Sequence, residues 1–406
     1  MEIGRLQIPI PRIDEVDFVR NDSITQLYLW YSKLIENEAV GTQVLAALRE
    51  DPRVQALDGH MISHGSNASR FEVETLAMWF LRAIQEYGQD IAENNLNTFL
   101  NSDKASVINT LWVLGVEVDK TIDLGNGYQI ESVYKMPDSR EKRHYLKSDD
   151  FFHLLHQIMP KPKAAITCIC QVIKAVKGNE TFQQGKIKDE EFWNSYQRLS
   201  EIALLFNAVD GVSCIPYYST SYALHGMPMG IFGGSGGGSN IYDIIGRSSS
   251  KISEVSVREI HSLVDAFGAL PPGDKLRMTR ALSRLSQAKR RLQIEDKILD
   301  LGIALEMALL DDNVNNDQLS QSFRLRGSWL IGKDGDDRHI IYRQLRDIYD
   351  YRSQVAHSGA LCKNDGIKID EVRKRFQEYS FLAERIIRHL IYNGHPEWSK
   401  LILGAI

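Results

Sequence analysis

Arg352 and His357 lie five positions apart in the stretch Asp347 to Gly359, and their types suit the handling of a phosphate ester. Read backward from Val355, the apolar residues Ile348, Leu345 and Ile341 follow the four- and three-residue steps of a helix core face. Arg352 falls on that stripe. A guanidinium so placed must find a carboxylate, a carbonyl or a bound anion, because burying it unpaired is costly. His357 carries the side chain best suited to move a proton near neutral pH, and Gly359 supplies a helix stop beside it. Ser353 adds a hydroxyl. Tyr349 and Tyr351 are close enough in sequence to stack on a base, to brace Arg352, or to pack as ordinary helix aromatics.

These residues need helices to position them, and the sequence from about residue 275 onward reads as nothing else. Leu276 to Leu310 forms one long helix or two abutting ones, followed by Leu319 to Ile331, Arg338 to His357 and Lys368 to Tyr392. Short connections make these a bundle. Ahead of them the pattern is mixed. Residues 24 to 50, 71 to 98 and about 189 to 206 have helical periodicity, whereas Leu111 to Val118, Tyr128 to Tyr134, Ala164 to Ala175 and Val212 to Tyr218 read as strands. Asn126-Gly127 is a hairpin turn signal. The expectation is an α+β protein: a mixed α/β sensor or regulatory region over 1–225, a Gly/Ser-rich loop and connector over 226–274, and an all-α bundle over 275–406.

The run Gly233 to Ser239 reads as a flexible connector or mobile loop, and it also looks like an engineered linker. Charge divides unevenly: Lys and Arg minus Asp and Glu is 25 − 35 = −10 for residues 1–274 and 23 − 18 = +5 for 275–406. The basic excess includes Arg284, Lys289, Arg290 and Arg291, which could attract a polyanion such as RNA or form a solvated helix face. No apolar run is long enough to span a bilayer, and Met1 to Asp14 lacks a secretory layout, so a cytoplasmic protein without a membrane partner is expected.

Other motifs carry less. Cys168, Cys170, Cys214 and Cys362 form no CxxC pair, and reduced core positions are expected. The pairs His60/His64 and His153/His156 lack an evident third ligand, so no metal and no cofactor is expected. Gly327 to Lys333 matches the first positions of a phosphate-binding loop, but Asp334 stands where Ser or Thr must hold magnesium, and no strand precedes it.

The succession Leu282-Ser283-Arg284-Leu285, Ile294 to Glu306, Ser322 to Arg326, Arg338 and Ile348 to Gly359 resembles the Apea-like branch of the HEPN superfamily. The resemblance covers about the last third of the chain and includes that family's R-x4-H motif as Arg352 and His357. A looser one covers Leu111 to Val118 with Leu124-Gly125-Asn126-Gly127, in the amino-terminal region. The family resemblance implies a metal-independent endoribonuclease: the RNA 2′-hydroxyl attacks, His357 shuttles the proton, Arg352 grips the phosphate, and a 2′,3′-cyclic phosphate and a 5′-hydroxyl result. Ser353 stands where many members carry Asn, Asp or His. The resemblance further implies a homodimer pooling two motifs, an RNA substrate such as tRNA, and restraint until a phage-encoded trigger arrives, as in antiphage defence by abortive infection. Two other readings remain open at this point, a HEPN-like module that binds nucleotide, RNA or protein without cleavage, and a purely structural helical scaffold.

Overall fold

The computed structural model of the chain describes residues 5–7, 32–36, 38–63, 68–136, 142, 162–177, 190–224, 226–228, 235–238, 250–252, 254–310, 318–361 and 366–404. Helices α1 (Ala39–Glu50), α2 (Pro52–Gln55), α3 (Val73–Tyr87) and α4 (Gln89–Asn101) dominate the front, with α3 and α4 parted by Gly88 at φ 87. Strands β1 (His60–Ser63) and β2 (Ala68–Arg70) pair antiparallel between α2 and α3. Next come β3 (Lys104–Leu114), β4 (Val116–Glu117), β5 (Ile122–Gly125), β6 (Tyr128–Ser132), β7 (Ala164–Ile173) and β8 (Ala175–Lys177). Helix α5 (Glu190–Leu205) leads to β9 (Ile215–Ala223), β10 (Ser235–Gly238) and β11 (Ser250–Lys251).

The main sheet has six antiparallel strands in the order β10-β9-β3-β7-β6-β5. Its β5–β6 hairpin turns through Asn126 at φ 54 and Gly127 at φ 79, the left-handed pair that an Asn-Gly turn is suited to adopt. The Gly/Ser run differs from expectation. Ser235 to Gly238 are not a connector but the sheet's edge strand, paired with Tyr218 to Ser221 of β9, while Gly233, Gly234 and Ser239 lie outside the described residues. Composition gave no hint of this, because glycine has no strand preference and the pairing is supplied by the neighbour's backbone.

The remainder is helical: α6 (Glu254–Ala269), α7 (Pro272–Arg290), α8 (Ile294–Leu309), α9 (Leu319–Ile331), α10 (Gly335–Ser358), α11 (Gly366–Asn393) and α12 (Trp398–Leu403). Helix α6 occupies ground expected to be connector, and α7 and α8 are two helices interrupted at residues 291–293. One face of the sheet serves two cores. Towards one end, Val107, Cys170 and Val172 pack with α1, α3 and α4. Towards the other, Leu111, Val113, Ile130 and Ile166 join α5, α6 and the carboxy-terminal helices in one continuous buried cluster. The carboxy-terminal bundle thereby shares one core with the sheet, with α5 and α6 packed between them.

The cysteines Cys168, Cys170 and Cys214 are buried and form no disulfide, and Asn109 donates to the Cys170 sulfur at 3.3 Å. Burial pushes the Cys168 thiol up to about 12, which keeps it protonated. Cys362 lies outside the described residues. Among the described residues no helix is long and apolar enough to cross a membrane.

Candidate functional site

Helix α10 starts where the Asp334 side chain accepts from the Asp337 amide at 2.8 Å, and Asp336 and Asp337 add acid to its first turn. It stops at Gly359, whose φ of 73 and amide bond to the Val355 carbonyl at 2.8 Å make a left-handed cap. Between these ends Ile341, Leu345, Ile348 and Val355 are buried, so the stripe read from the sequence is the core face.

Arg352, on that stripe, meets a carboxylate. Its Nη2 donates to Glu306 Oε2 on α8 at 2.7 Å. The close approach depends on Gly302, one turn earlier on α8: a Cβ there would lie 2.6 Å from Arg352 Cγ and 2.8 Å from its Cβ, inside any real contact. Glycine in mid-helix is costly, and here the missing side chain is what admits the arginine stem. Burial pushes the Glu306 carboxyl above its ordinary range, and the neighbouring guanidinium partly opposes that push. Arg352 Nε is buried with no hydrogen-bond partner, so donor capacity remains at this guanidinium.

His357 is exposed in the last turn of α10. A five-residue step places it roughly 140° around the helix axis from Arg352, so the two side chains leave the helix in different directions. Ser353 is half-buried beside them. Tyr349 packs its ring on Phe323 of α9, centroids 5.4 Å apart, and Tyr351 sits on the opposite flank near Asp347, Glu371 and Arg375, where burial raises its hydroxyl pKa. Both tyrosines are packed aromatics, on either side of Arg352.

The basic cluster read from the sequence as a polyanion attractor or a solvated helix face is largely committed elsewhere. Lys289 is 4% exposed, and its ammonium donates to the carbonyls of Asn207 at 2.7 Å and Val212 at 2.6 Å while pairing with Glu384 at 2.8 Å. It cannot meet a polyanion. Arg284 and Arg291 both grip Asp300, each at 2.9 Å, and Arg290 is half-buried. A linear charge run does not reveal which helix face each charge occupies. For Lys289 the signal was nonetheless present, since Met278, Leu282, Leu285 and Lys289 follow the same steps of four, three and four that singled out Arg352.

Glu306 and Gly302 are the site residues that sequence reasoning passed over. Asp300 and Glu306 interrupt the otherwise apolar run after Lys297, and both are held by arginines from other segments. Gly327, the first glycine of the loop-like motif, lies within α9 against Leu345, where a Cβ would come 2.5 Å from the leucine Cδ1; it serves helix packing. His60 lies in β1, and His64, His153 and His156 lie outside the described residues. Among the described residues no cluster of three His, Cys, Asp or Glu could hold a metal ion. Comparison of the chain with protein-family models, with curated proteins and with solved structures returns no match in any of the three.

Proposed function

We propose that the chain is a metal-independent endoribonuclease of HEPN type, with Arg352 as phosphate-binding cation and His357 as proton shuttle. The observation that carries the reading is Arg352 itself: a guanidinium drawn into an apolar helix face, tied by one bond to Glu306, with a buried Nε left unpartnered beside a helix end that presents an exposed histidine. An RNA phosphate is the kind of group such a fork accepts, and the ribose 2′-hydroxyl supplies the nucleophile, so the protein needs only charge and a proton carrier.

Within one chain Arg352 and His357 diverge around the helix, which supports a site completed by a second copy: two α10 helices related by a two-fold axis bring two arginines and two histidines to one cleft. The same divergence favours a second reading, a module that binds an RNA or nucleotide phosphate at Arg352 without cutting it. A regulated antiphage effector, restrained by its amino-terminal region until a phage component arrives, is the cellular role this chemistry suits.

The experiment is cleavage of total RNA by the purified protein in EDTA, with the product ends mapped. Cyclic phosphate ends that vanish in folded His357→Ala support the nuclease, and Arg352→Lys should also be inactive because lysine lacks the planar fork. Cleavage undiminished in His357→Ala overturns the assignment. Binding without cleavage selects the second reading.

A further inference from the structure

Helices α9 and α10 run antiparallel, and their seam is stitched by two arginine–aromatic stacks of opposite sense. The Arg338 guanidinium on α10 lies 4.0 Å from the ring centroid of Trp329 on α9, and Arg324 on α9 lies 5.5 Å from that of Tyr342 on α10. All four side chains are half-buried, and His339 and Arg346 stand exposed on the same side of α10. Arg324 hydrogen-bonds to the Ser320 hydroxyl and to the Ser320 carbonyl, the latter at 2.9 Å, and Arg338 Nε is buried without a partner. Among the described residues, Arg324 and Arg338 take part in no ion pair, in a protein whose other arginines commonly do, and Arg346 pairs with its neighbour Asp347 at 3.2 Å with half its side chain exposed. Helix α9 contains no acidic residue at all.

We infer that this seam is the track along which a single-stranded RNA reaches the end of α10, an inference that rests on the ribonuclease reading of Arg352 and His357. Stacked guanidiniums beside Trp and Tyr rings are what single strands use, since every base has a π-face and every phosphate a charge. Holding the arginines against rings in advance also removes the rotamer entropy that binding would otherwise have to remove. The direction follows from helix geometry. Positions 338, 342 and 349 line the α9 flank, 346 and 353 lie beside them, and 339 and 357 border these on the outer face, so the seam and His357 occupy one side of α10.

From Arg338 to His357 the helix rises roughly 28 Å, the length of about eight stacked nucleotides at ~3.4 Å each. Carboxylates bound the track. Asp334, Asp336 and Asp337 close its far end, and exposed Asp350 on the outer face repels a phosphate towards the α9 side. This surface replaces the α7 cluster, whose charges are engaged inside the fold.

The test uses the full chain with His357→Ala, so that RNA survives, and follows binding of fluorescein-labelled oligouridylates of 4 and 12 nucleotides across 50 to 300 mM salt. Adding Arg338→Ala and Arg346→Ala should weaken the 12-mer at least tenfold and flatten its log–log salt dependence by about 1.4, at ~0.7 per lost phosphate contact on a single strand. The 4-mer should respond far less. Arg338→Lys keeps the charge and loses the planar stack, so affinity should fall while the salt dependence holds. Exposed Arg346→Ala alone guards against misfolding and should flatten the slope by about 0.7. Unchanged affinity and slope in Arg346→Ala and the double variant, no binding of the 12-mer by the parent, or equally tight binding of a 12-base-pair duplex would each overturn the track. The two readings fail separately. A protein that binds the 12-mer in this way but never cuts RNA overturns the nuclease alone, and one that cuts RNA with seam variants unaffected overturns the track alone.

Discussion

Lys289 and Glu384 meet with side chains 5% and 1% exposed, whereas Arg352 and Glu306 keep 27% and 20% of theirs in contact with solvent. The first pair is saturated. Besides pairing with the ammonium, Glu384 accepts from the Ser380 hydroxyl and the Gly211 amide, and Lys289 reaches two carbonyls in the turn that precedes β9. The second pair shares one hydrogen bond and leaves a buried Nε unmatched. A buried charge whose partners are complete fixes architecture, and here it locks α7 and α11 to the sheet region. A charge that keeps one partner and part of its surface in solvent leaves an edge that an incoming anion can reach.

Breaking the saturated pair should have the largest effect. Lys289→Ala strands Glu384 in the core and should cost about 3–5 kcal/mol in urea unfolding. A loss under about 1 kcal/mol would mean that water enters and the two pairs do not differ in kind. Gly302→Ala comes next. Its methyl must displace the Arg352 stem, which cannot swing away as a side-chain tip could, so about 1–3 kcal/mol should be lost together with RNA cleavage. Full activity in this variant would show that the Arg352 position is not critical.

The smallest effect lies in the pH dependence of the Arg352–Glu306 pair. Glu306 has its folded pKa raised by burial, so the stability it contributes is present below the ordinary glutamate value of 4.5 and is lost as pH rises through the folded value. Glu306→Gln removes that titration while keeping an acceptor for Arg352. The variant should therefore gain on wild type between pH 4.5 and neutrality, by under about 1 kcal/mol, in unfolding curves taken at a series of pH values. A gap that narrows as pH rises would mean that Arg352, and not desolvation, governs Glu306.

The helices of the bundle were legible in the sequence because apolar spacing reports one helix at a time, and the buried face of α10 and the Gly359 stop follow from it directly. What spacing does not report is which helix lies opposite, so Arg352 could be seen to need a partner while Glu306 went unnamed. Lys289 teaches a different lesson: the stripe rule that exposed Arg352 applies to it equally, and its membership of a basic run hid that. The catalytic roles proposed for Arg352 and His357 rest on resemblance, and local pattern alone supports only an anion site next to a titratable ring.

The edge strand β10 has a consequence for the sheet's rim. Gly236, Gly237 and Gly238 offer β9 a ladder of backbone bonds and no side chains to pin the alignment. Register in such a strand is weakly encoded, because a one-residue slip turns no apolar group from core to solvent. The amides of these glycines should be among the earliest in the sheet to trade hydrogen for deuterium, and the sixth strand can slide or peel while the five behind it stay in place.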